Sequence, residues 1–95
     1  MDRAKVLELL IRFKPEMQER FKVRSIGLFG SMARGDAKAT SDIDILVDVD
    51  PSIGLGFVRL AERLEQILGR HVDLVSSRAV KPDYRRLIDK ELVHV

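Results

Sequence analysis

Two apolar runs of strand length, Val23 to Phe29 and Asp42 to Val49, are joined by a short polar segment that opens on Gly30-Ser31 and contains Arg34-Gly35. A parallel crossover takes a dozen or more residues, usually with a helix. The twelve residues from Gly30 to Ser41 sit at that lower bound and do not secure a crossover, and a small mixed sheet with helices packed against it is the expected architecture. Residues two apart on a strand share a face. Asp42 and Asp44 therefore project together, with Leu46 and Asp48 farther along, while Ile43, Ile45, Val47 and Val49 make the buried side. Asp is depleted in strands, and like charges on adjacent same-face positions repel. Either a cation joins them or one carboxylate's pKa rises until it keeps a proton. Hard cations with oxygen shells, Mg²⁺ above all, take one or two carboxylates together with substrate phosphates. For an isolated Asp-x-Asp, two aspartates at a solvated strand end would be the simpler explanation.

What precedes the pair shifts that balance. A strand running into Gly-Ser and then a helical turn leaves backbone N–H groups unpaired and aimed at one point, which suits a phosphate. Gly30 permits a tight turn and close approach of a ligand. Ser31 adds a hydroxyl, and Arg34 a planar cation matched to phosphate oxygens. Alone, this is equally a strand–turn–helix junction with a chance arginine. Within fifteen residues of a carboxylate pair, it supplies the parts of a nucleotidyl-transfer site.

At these residues the chain resembles the nucleotidyltransferase superfamily that includes DNA polymerase β and the aminoglycoside nucleotidyltransferases. Its signature is Gly-Ser, roughly ten residues, Asp-x-Asp, and a third acid on a later strand. The fuller pattern, here GSMARG…SDIDILV, is similar to the minimal nucleotidyltransferases, the small partners in HEPN–MNT toxin–antitoxin pairs. The resemblance covers most of the chain. It implies an α+β nucleotidyltransferase core in the order α-β-α-β-α-β-α, with residues 1–95 as one minimal domain. It places the third acid at Asp73, in the run His71-Val72-Asp73-Leu74-Val75.

The same resemblance implies transfer of AMP from ATP, with two Mg²⁺ ions about 3.5–4 Å apart held by Asp42, Asp44 and Asp73. Asp73 would sit beside the acceptor and help take its proton. Gly30, Ser31 and Arg34 would hold the outgoing phosphates, Arg34 through the minimal subgroup's pattern. The implied acceptor is a tyrosine hydroxyl of a HEPN toxin whose ribonuclease activity is silenced, which would make this chain an antitoxin. Two other readings stay open. One is an antitoxin that neutralises by stoichiometric binding, and the other is a small-molecule nucleotidyltransferase acting as a homodimer.

The remaining sequence reads as scaffold. Ninety-five residues suffice for one domain with a modest core. The absence of cysteine excludes disulfides and thiolate metal sites. The start, MDRAKVLELL, is charged and lacks the apolar core of a signal peptide. No run reaches transmembrane length, so the cytoplasm is the default location. Net charge is +2, yet residues 36–50 hold five acids against Lys38 alone. An acidic pocket in a basic body suits a metal–nucleotide complex. The five aromatics never interleave with a basic run, which argues against a base-stacking nucleic-acid surface. Arg59, Arg63, Arg85 and Arg86 either rim a docking surface for a partner or simply solvate helix faces.

Val6, Leu9, Leu10, Phe13 and Met17 recur at helical spacing, with Pro15 expected to kink the helix or start a second. Asp36 to Ser41 reads as a loop free to move without ligand, and Ser52 to Gly56 as a linker. Phe57, Leu60, Ala61, Leu64, Ile67 and Leu68 mark a helix closed by Gly69. His71 is expected to be a solvated strand-start residue. Pro82 opens a last helix through Lys90, and Leu92 to Val95 forms a short strand or a docked tail. Strand order does not follow from these patterns.

Overall fold

The computed structural model describes residues 1–95. The chain forms α1 (Arg3–Phe21), β1 (Val23–Phe29), α2 (Gly30–Arg34), β2 (Ile43–Val49), α3 (Gly56–Leu68), β3 (Val72–Ser76), α4 (Pro82–Asp89) and β4 (Val93–His94). Short 3₁₀ turns at Pro51–Ile53 and Ser77–Ala79 complete it. One mixed sheet runs in the order β3-β2-β1-β4. The joint holding the single-turn α2 returns the chain antiparallel, so β1 pairs with β2 that way. The longer connection through α3 makes β3 parallel to β2, as crossover length requires. The tail resolves into β4, antiparallel to β1.

Side-chain parity along the strands sets the layers. Ile26, Leu28, Ile43, Ile45, Val47 and Val72 face Val6, Leu10 and Met17 of α1 and Leu60, Leu64 and Leu68 of α3, forming the main core. Full burial of each such residue is worth about 1.5–3 kcal/mol. The opposite face carries a smaller cluster, Phe29 and Leu46 under Ile88 of α4, with Val75, Val80 and Leu92 against it. Asp44 and Asp73 share that second face. Because α4 covers it only in part, Leu46 is buried while Asp44 keeps some access to solvent.

The first helix runs through Pro15 without a break and is capped by Asp2, whose carboxylate accepts from Lys5 N–H at 2.9 Å. Pro15 denies a partner to the carbonyl of Ile11, a residue on the exposed side, where water can serve. Beyond the proline, Met17 and Phe21 return the helix to the core. Glu16 there takes two hydrogen bonds from Arg63 of α3, at 2.7 and 2.9 Å.

Gly27 admits the tail, because the Leu92 side chain fills the space a Cβ there would need. The polar loop after α2 is tied rather than loose. Arg70 donates to the carbonyls of Ser41 and Lys38, and Lys38 N–H to Ser41 Oγ. Of the four arginines considered for a docking rim, Arg63, Arg85 and Arg86 are paired with Glu16, Asp89 and Asp83. Only Arg59 lacks a carboxylate partner. No helix is long and apolar enough to cross a membrane.

Candidate active site

Strand register brings the three predicted parts to one end of the sheet. In the parallel β2–β3 ladder Asp44 lies directly opposite Asp73. In the antiparallel β1–β2 ladder Asp44 lies opposite Phe29. The chain turns at Gly30 immediately after Phe29, so the Gly-Ser turn is delivered against the Asp44 carboxylate. Gly30 has φ +73°, and a Cβ there would overlap that carboxylate and lie 2.9 Å from its Cγ. Glycine is therefore required on two counts, the left-handed backbone and the space Asp44 occupies. The sequence suggested a tight turn and room for a ligand, and not the contact with Asp44. Met32 and Ala33 are buried, Arg3 donates to the Ala33 carbonyl at 2.8 Å, and α2 is thereby fixed beneath the turn.

The electrostatics follow from this crowding. The Asp44 pKa is pushed up from 3.8 to about 6. Burial is the largest cause, followed by the charges of Asp73 and Asp42, a hydrogen bond with Asp73, and the charge of Glu91. Asp42 stands one residue before β2, and its Oδ1 is 3.1 Å from His71 Nδ1. His71 is exposed as expected, but it has acidic neighbours on two sides, since Glu65 Oε2 is 3.7 Å from its Nε2.

As they stand, no three acidic or histidine side chains converge to enclose an ion. Asp44 and Asp73 face each other, whereas Asp42 is engaged with His71. The donor set is nonetheless all carboxylate oxygen, and its mutual repulsion is what a hard divalent cation relieves. The residues fit such an ion provided Asp42 exchanges His71 for it.

The predicted phosphate residues line a cleft of about 290 Å³ with Asp44 in its wall, closed on the other side by Tyr84, Leu87, Ile88 and Glu91. Its polar donors already have an occupant. Gly30 N–H donates to Glu91 Oε1 at 2.9 Å, and Arg34 Nη1 donates to Glu91 Oε2 at 2.9 Å. Arg34 Nε reaches Asp36 at 3.3 Å. Glu91 and Tyr84 are the residues that sequence reasoning missed. Nothing near them marks a site, and only the docking of α4 and the turn after it brings them here.

The chain is similar to known nucleotidyltransferases. The nucleotidyltransferase domain family matches the chain over residues 10–93. The protein adenylyltransferase MntA of Thermococcus cleftensis is 47% identical over 89 residues, covering 92% of this chain and 89% of that protein. A solved toxin–antitoxin structure with AMP-PNP superposes with TM-score 0.68 at 26% identity, over 99% of this chain and 72% of that one. Another, a tri-AMPylated Shewanella oneidensis HEPN toxin in complex with its MNT antitoxin, superposes with TM-score 0.56 at 26% identity, over 97% and 66% of the two chains.

Proposed function

This chain belongs to the nucleotidyltransferase domain family, and from that membership we propose that it moves AMP from Mg-ATP to a tyrosine hydroxyl of a HEPN toxin, acting as the toxin's antitoxin. The observation that carries the reading is the meeting of Gly30, Asp44 and Asp73 at one sheet end, fixed by the registers of two ladders. The adenylyltransferase relative and the complex of an AMPylated HEPN toxin with an MNT antitoxin support the choice of donor and acceptor. The cytoplasm, where ATP is abundant, is the proposed place of action.

In the reaction the acceptor oxygen attacks the α-phosphorus, the bond from that phosphorus to the β-phosphate oxygen breaks, and pyrophosphate leaves. Asp42, Asp44 and Asp73 would hold divalent cations, which would supply charge neutralisation for the transfer. Asp73, at the outer side of Asp44 in the sheet, takes the acceptor proton. Gly30 N–H, the Ser31 hydroxyl and Arg34 hold the outgoing phosphates, where positioning and fixed donors do most of the work. With so little enclosed volume beside them, the acceptor comes on a docked protein rather than as a free small molecule.

The test is co-expression with the adjacent open reading frame, followed by intact-mass measurement of its product. The expected result is a gain of one or more AMP units that requires Mg-ATP and disappears with Asp44→Asn. A toxin that stays unmodified yet neutralised would replace catalysis by stoichiometric binding. Absence of any toxin partner, with AMP appearing on a small molecule, would overturn the antitoxin role.

A further inference from the structure

Glu91 has no part in the transfer as described, yet its carboxylate occupies the donors assigned to the outgoing phosphates. One oxygen accepts from Gly30 N–H and the other from Arg34. The Glu91 side chain is 25% exposed, and its bond to Gly30 N–H is partly buried. A carboxylate that spreads its two oxygens over a backbone N–H and a guanidinium presents the same acceptors as one edge of a phosphate. It does so in a cleft already made negative by Asp44, where its charge adds to the forces on that residue. Without the two donors a glutamate would have every reason to turn away to solvent.

The backbone of Glu91 is held independently, its N–H bonded to the Ile88 carbonyl at 3.1 Å. Side-chain rotation toward solvent can therefore clear the donors without moving the backbone.

We infer that Glu91 is a built-in competitor for the pyrophosphate-binding donors, one that sets which anions the site accepts and helps expel the product. A ligand must offer more than a carboxylate to displace it. A cation-bearing polyphosphate does. After transfer, return of Glu91 to Gly30 and Arg34 removes the contacts that retain pyrophosphate. This rests on the nucleotidyl-transfer reading above.

The experiment is calorimetric titration of the parent, Glu91→Gln and Glu91→Ala with magnesium pyrophosphate and, separately, with Mg-ATP. Glutamine keeps an acceptor oxygen for Gly30 while losing the charge, so it preserves the tie between the tail and α2. The expected result is pyrophosphate binding about fivefold to tenfold tighter in Glu91→Gln, with the gain cancelled by adding Arg34→Ala. Product inhibition by pyrophosphate should strengthen in parallel. A merely structural Glu91 would move the unfolding midpoint and not this affinity. Unchanged or weaker pyrophosphate binding in a folded Glu91→Gln protein that still binds Mg-ATP overturns the inference and leaves the transfer reading standing. Failure of the parent to bind Mg-ATP at all overturns both.

Discussion

Asp44→Asn should stabilise the cation-free protein at neutral pH, although the residue sits at the centre of the site. The Asp44 pKa is raised from 3.8 to about 6 by burial and by Asp73 and Asp42. A shift of that size is about 3 kcal/mol at face value. Asp44 keeps partial contact with solvent, and screening there reduces the figure to about 1 kcal/mol. Its sign is set by which state holds the proton more tightly. Below pH 3.8 folded and unfolded chains are both protonated, and the folded form bears no penalty. As pH rises through about 6 the folded protein must ionise Asp44 against its surroundings, and that stability is lost. Asparagine has the same size, leaves Gly30 its room, and removes the charge. Guanidinium unfolding in chelator should give a variant about 1 kcal/mol more stable than the parent at pH 8, with the gap closing near pH 3.5. Magnesium should then stabilise the parent and not the variant. A variant that unfolds earlier than the parent at pH 8 in chelator would refute the claim that like charges are crowded here. A gap that does not change with pH would refute the titration behind it.

Gly30→Ala should lose transfer and roughly 1–3 kcal/mol of stability through its left-handed backbone. Overlap of the new Cβ with Asp44 adds to that loss, and this added part should be recovered when Asp44 is also shortened to Ala, a coupling that a double-mutant cycle reads directly. Ser31→Ala should leave unfolding unchanged and lower kcat/KM by a factor equivalent to roughly 1.5–3 kcal/mol, the worth of one hydrogen bond to a charged phosphate. Leu64→Ala, in the core between α3 and the sheet, should cost about 2–5 kcal/mol in denaturant unfolding, with nucleotide affinity preserved in the folded fraction.

The parts of the fold that could be read from sequence are those governed by local periodicity. Alternation along Asp42 to Val49 separates a buried face from an acidic one, and β2 obeys it. Gly69 ends α3 in the left-handed conformation the pattern asks for. Pro15 starts no second helix, because a missing N–H is cheap where the orphaned carbonyl faces solvent and the next turns are anchored in the core. The strand order was illegible because the pairing of β4 with β1 depends on Gly27 making way for Leu92, a contact between distant segments. The site divides in the same way. Gly30, Ser31, Asp42 and Asp44 lie close in sequence and announce themselves by type and spacing. Glu91 and His71 carry no such signal, and only the assembled sheet and the docked α4 set Glu91 against Gly30 and Arg34 and His71 against Asp42.

Magnesium dependence of nucleotide binding tests the carboxylate site most directly. Titrating ATP into the protein by calorimetry, once with excess Mg²⁺ and once with chelator, should show strong preference for the magnesium complex, because Asp42, Asp44 and Asp73 repel bare phosphates. Asp42→Asn with Asp44→Asn should erase that preference while leaving the protein folded. Equal ATP affinity in magnesium and in chelator for the parent protein would contradict the assignment of these three carboxylates.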